Sequence, residues 1–241
     1  MRFIVMHKVD ATMESGGPPS QQIIQEMGAL VQGSLKSGVF LNGAGLHRSA
    51  SRARVTSKSG RSEVEKGPYT GKNELISSLV MISTRSMDDA VSHASRLATE
   101  LGDIEIEVGP VVEPWDLGMM PKPEGQVPER FLFLFKSTAD DEQGVRVEER
   151  HREAVEKLSR SFDNDGVVLA AECLAPSAQG ARSSGSGKRT WVDGPFTETK
   201  ELIAGFSLLR LPTLEEALAW ADRYAAILGD NEVDVRLVYE R

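Results

Sequence analysis

The chain has 241 residues, a formal net charge of −8 and a pI near 5.2, with 40% hydrophobic and 27% charged residues. That balance is globular, at a length that suggests two domains. The acidic excess argues against nucleic acid and anionic membrane as partners, and the single cysteine, Cys173, excludes an intrachain disulfide.

Four scattered histidines (His7, His47, His93, His151) and one cysteine do not make a zinc set. No phosphate loop, nucleophile elbow or other cofactor motif is present, so no cofactor and no metal are expected. The longest apolar runs, such as Phe131 to Phe135, are far too short to cross a bilayer. Residues 1–8 lack the apolar core and cleavage site of a signal peptide, and the expected location is cytoplasmic.

Read from the start, residues 2–8 are a buried strand by their Phe, Ile and Val content. A helix follows Pro18-Pro19-Ser20, with Ile23, Met27, Leu30 and Val31 on one face, and Gly38 ends it. Strands are expected at 39–46 and 75–83, with a hairpin between them. A helix near 86–101 opens at Ser86-x-x-Asp89 and stops at Gly102, and Ile104, Ile106 and Val108 alternate as a last strand.

The same series then runs again. Arg2-Phe3, Gly38-Val39, Leu41, Ser49-Ala50 and Ala53-Arg54 recur 128 residues later. Gly67-Pro68, Glu74-Leu75-Ile76, Ala90 and Gly102 recur 127 later, one residue having been lost in a loop. The second series has strands at 130–136, 167–174, 202–210 and 233–237. Its first helix carries His151, Val155, Leu158 and Phe162 and is expected to end at Gly166. Its second opens with the capping pattern Thr213-x-x-Glu216.

The expected domains are 1–113 and 129–241, joined by a proline-rich linker over 114–128 whose Trp115, Met119 and Met120 should pack on a surface. The expected fold is α+β: two ferredoxin-like βαββαβ domains, their sheets face to face in an intramolecular, pseudo-dimeric α/β barrel. The chain would then be a monomeric pseudo-dimer or a homodimer.

The stretch Asp193-Gly194-Pro195-Phe196-Thr197-Glu198-Thr199-Lys200-Glu201, with its flanks, resembles the signature of the YCII-related (DGPF) family. The resemblance covers the second repeat and, more weakly, the first, where Lys66 stands in place of Asp193 and Tyr69 in place of Phe196. It implies a dimeric α/β barrel. It also implies a His–Asp pair in those relatives that are small-molecule enzymes.

Carried onto this chain, the pair is His151 and Asp193, although Val155 stands one turn later, where the family histidine is expected. Arg182 is the candidate anion holder, with Glu172, Trp191, Phe196 and Phe206 around it. The functional expectation is a cofactor-independent lyase or isomerase that moves a proton through His151. The alternative is a non-catalytic module that holds a small ligand. Bland roles compete at each position: a half-buried histidine, an aspartate spent on its own turn, an Arg182 salt bridge to Glu172 or Glu198, and aromatic residues in the core.

Overall fold

The computed structural model describes every residue except 73, 126, 163–165, 185–189, 197–201, 230–231 and 241. The first series gives β1 (Arg2–Lys8), a short α1 (Ala11–Ser15), α2 (Gln21–Lys36), β2 (Phe40–Gly45), β3 (Ala53–Lys58), β4 (Arg61–Lys66), β5 (Ile76–Thr84), α3 (Met87–Leu101) and β6 (Ile104–Pro110). The second repeats that order: β7 (Glu129–Lys136), a short α4 (Ala139–Glu142), α5 (Val147–Ser161), β8 (Gly166–Cys173), β9 (Gly180–Ser184), β10 (Thr190–Asp193), β11 (Ile203–Arg210), α6 (Leu214–Ile227) and β12 (Val233–Val238).

Local signals placed most of these boundaries. Ser20, Ser86 and Thr213 each accept a hydrogen bond from the amide three residues on, as helix N-caps do. Gly38, just past α2, has φ 71°, and Gly102, capping α3, has φ 93°. Gly166 does not end α5 as expected. It opens β8, and a Cβ there would come within 2.6 Å of the Phe162 ring, so packing requires the glycine.

The strands form two six-stranded antiparallel sheets. The first has the order β10-β9-β12-β1-β11-β2 and the second β4-β3-β6-β7-β5-β8. Each sheet is therefore built from both repeats. β1 pairs with β11 and β12 (Phe3 opposite Leu209 and Leu237), and β7 pairs with β5 and β6. This differs from the expectation of one sheet per repeat. β1 and β2 lie with β9 to β12, and β7 and β8 with β3 to β6, so each half lends its leading strand pair to the other sheet; the similar apolar alternation of β1 and β7 suits either place.

The sheets do pack face to face. Ile4, Met6, Phe206 and Leu208 of the first share one buried cluster with Leu79, Met81, Leu132 and Leu134 of the second. The outer face of the first sheet is covered by α2 and α6, through Phe3, Val5, Trp220 and Tyr224, and that of the second by α3 and α5. Both faces of β7 are thus buried. Phe131, Phe133 and Phe135 face the helices, while Leu132 and Leu134 face the other sheet, which explains a run of five apolar residues.

The expected barrel is not closed. Among the described residues, isolated bridges join the sheets at two corners, Leu46 with Val111 and Leu174 with Val238. Between β6 and β7, Trp115 is half-buried, whereas Met119 and Met120 are exposed. Among the described residues, no helix is long and apolar enough to cross a membrane.

Candidate functional site

The residues singled out in the sequence do not meet in one place. His151 projects from α5, on the helical side of the second sheet, while Asp193 ends β10 at the edge of the first, exposed and without a described hydrogen bond. Consecutive residues of α4 stand between the two regions. Asp141 bonds Thr138 and Arg150 beside His151. Glu142 accepts from the amide of Ser177, which faces the Asp-Gly-Pro turn.

That turn is held by its glycine and backbone. A Cβ on Gly194 would overlap the Ser177 carbonyl, the Gly194 amide donates to Gly180 O at 3.0 Å, and Phe196 N donates to Ser177 Oγ at 2.9 Å. Gly67 makes the same close approach to Ser49 in the first repeat. Residues Thr197 to Glu201 of the motif, and most of the glycine-serine loop, lie outside the described residues.

The four remaining candidates are dispersed. Glu172 accepts from Arg2 at 2.5 Å rather than from Arg182. The indole of Trp191 lies on the helical face and donates to Asp222 at 3.0 Å. Phe206 is core between the sheets. Phe196 lies under Arg182, whose guanidinium carbon is 4.3 Å from the ring centre.

Arg182 belongs to a centre that sequence reasoning missed. It grips Asp234 in a bidentate pair at 2.6 and 3.0 Å, and Lys8 closes on the same carboxylate at 2.9 Å. The first repeat builds the counterpart from equivalent positions. Arg54 lies over Tyr69 at 4.2 Å and pairs with Glu74 at 3.0 Å, while Lys136 bridges Glu74 and Glu107. Lys8 and Lys136 are 128 apart, and Glu107 and Asp234 are 127 apart. A charged residue recurring on the inner face of an apolar strand was the signal available in the sequence.

One arginine has changed strands between the two centres. Arg52 donates to Glu107 at 2.9 Å and to the carbonyl of His47 at 2.6 Å. Gly180 stands at its equivalent position. The arginine of the second centre is instead Arg236, where the first has Gly109, and it reaches the carbonyl of Ala175, the equivalent of His47.

Burial opposes ionisation of both central carboxylates and is outweighed. Lys136 and Arg52 hold Glu107 down to about 2, and Lys8 and Arg182 hold Asp234 below the usual carboxylate range. Each carboxylate is thus held ionised by a buried lysine and an arginine.

His151 does line a cleft. A small space of about 70 Å³ lies where α5 meets the ends of α3, β5 and β7, bordered by Ser77, Ser78, Lys136, Thr138, Asp141 and His151. In the first repeat the histidine comes from the strand instead. His7 stands where Phe135 stands, and Ile23 where His151 stands. His7 is buried, with Nδ1 2.8 Å from the Tyr224 hydroxyl, and burial with nearby Arg52 pushes it down to about 4.

His47 pairs with Asp116 of the linker at 3.2 Å, and burial pushes the Cys173 thiol up to about 12, so it stays protonated. Among the described residues no group of His, Cys, Asp and Glu is arranged to hold a metal.

Residues 130–239 match the family model of the YCII-related domain. Comparison with curated proteins and with solved structures returns no match. The match includes the Asp-Gly-Pro-Phe turn, α5 with His151, and the centre around Asp234.

Proposed function

We propose, with residues 130–239 taken as a YCII-related domain, that the chain binds a small polar molecule in the cleft beside His151 and does so without Asp193. The carrying observation is the cleft itself. It gathers His151, the hydroxyls of Ser77, Ser78 and Thr138, and the carboxylate of Asp141, whereas Asp193 is exposed beyond α4. A space of about 70 Å³ holds little more than two waters' share of liquid volume. It therefore suits one polar head group, such as a carboxylate or hydroxyl, with the rest of the ligand outside.

This favours ligand binding over proton transfer by a His151–Asp193 pair. A general base needs its orienting partner within hydrogen-bond reach, and these two residues belong to different layers. We also read 1–113 and 129–241 as tandem copies of one ferredoxin-like unit, joined through 114–128 and sharing strands.

The test is a thermal-shift screen of small carboxylic and hydroxy acids on wild type, His151→Ala and Asp193→Ala. The expected result is a ligand whose stabilisation vanishes in His151→Ala and persists in Asp193→Ala. Loss of binding in Asp193→Ala, with His151→Ala unaffected, would refute the assignment.

A further inference from the structure

A much larger cleft, about 610 Å³, lies on the opposite side of the molecule between α2 and α6. Its walls include the apolar Leu30 and Trp220 and the small Gly33 and Ala219, with Glu216 and Arg223 also lining it. The corresponding crease between α3 and α5 is filled. Phe162 stands where the first repeat has Ser34, and its ring meets His93 with centres 4.5 Å apart. Ser161 stands where the first repeat has Gly33, and its hydroxyl lies 3.1 Å from His93 Nδ1. Truncated side chains on α2 have opened one crease, while bulky ones have closed the other.

Nothing within the chain requires the openness. Gly28 and Gly33 sit inside α2, where glycine weakens a helix relative to alanine, yet no atom lies within 4 Å of the Cβ that either lacks. Glu216 and Arg223 share one face of α6, two turns or about 10 Å apart, with Ala219 between them. Neither has an ion pair with a described residue.

We propose that this cleft is the interface between two copies of the chain, each laying its α6 along the cleft of the other about a two-fold axis near Ala219. Antiparallel helices across such an axis bring Glu216 of one copy opposite Arg223 of the second, and the reverse, giving two ion pairs from one self-complementary face. Ala219 and Gly33 let the helix axes approach to the 8–10 Å of close packing. The facing surface of α2 adds little competing charge, since Glu26 and Lys36 are the only ionisable residues in that helix. The same spacing sets like charges against each other in a parallel arrangement, so the face selects its own orientation.

Sedimentation velocity on the full chain tests this, using wild type, Arg223→Glu, Glu216→Arg and the double reversal Glu216→Arg with Arg223→Glu. Each exposed, folded-state control is checked by circular dichroism. Wild type is expected to sediment as a dimer, each single reversal to weaken the dimer roughly tenfold or more by placing like charges opposite one another, and the double reversal to restore it. A monomeric wild type overturns the proposal. So does a dimer indifferent to single reversal, or a double reversal that remains as weak as the singles.

Discussion

At the residue scale, His7 and Glu107 give the molecule two separable pH dependences. His7 is pushed down to about 4 by burial, while in the unfolded chain it titrates near 6.5. The unfolded state therefore takes up a proton that the folded state refuses. Stability is lost as pH falls from about 6.5 to about 4, by about 3 kcal/mol in all. His7→Phe, which installs the residue found at position 135, is expected to flatten urea-derived stability across that window.

Glu107 has the opposite role, with a folded value near 2 against 4.5 for an unperturbed carboxylate. Its contribution is complete above about 4.5 and disappears as pH falls through 2. Glu107→Gln leaves Arg52 and Lys136 short of a buried counter-charge. Chemical denaturation at pH 7 should show a loss of about 3–5 kcal/mol.

At the element scale, the Asp-Gly-Pro-Phe turn divides into a structural glycine and a dispensable aspartate. Gly194→Ala forces a methyl group into the Ser177 carbonyl and must push β10 away from the Ser177–Gln179 turn, at a cost of about 3 kcal/mol. Asp193→Ala removes an exposed side chain without a described bond and is expected to stay within about 0.5 kcal/mol of wild type. Parallel melts of the two variants measure the contrast; equal losses would mean that the carboxylate supports the turn.

The short helices α1 and α4 were not expected from the sequence, and α4 bears on the site. Four residues carry no amphipathic period, yet Thr138 and Asp141 form a reciprocal capping box, and the next residue, Glu142, ties the helix to Ser177. Its position between His151 and Asp193 was legible only once both neighbours were in place.

At the scale of the whole molecule, the exchange of strands interlocks the two halves of the chain. β1 lies between β11 and β12, and β7 lies between β5 and β6. Proteolysis confined to the exposed linker near 119–124 should give fragments that co-elute on gel filtration and part only in denaturant. Independent, folded halves would mean that each repeat had formed its own sheet. The inner cluster, with Leu79, Leu132 and Leu134 from one sheet and Ile4 and Phe206 from the other, is what resists separation.

The sequence by itself determined the repeated order of elements, because capping residues, turn glycines and the apolar period act locally. It also determined that a strand face in each half was too apolar for water, and that face is indeed covered by the other sheet. It could not determine which copy of a strand enters which sheet, since Phe3-Ile4-Val5 and Phe131-Leu132-Phe133 satisfy the same surroundings. That choice rests on connections: the linker holds β6 and β7 as neighbours, and the segments 46–52 and 174–179 cross between sheets. The separation of His151 from Asp193 likewise belongs to tertiary structure, because proximity between a helix and a distant turn depends on how layers stack, which no local pattern encodes.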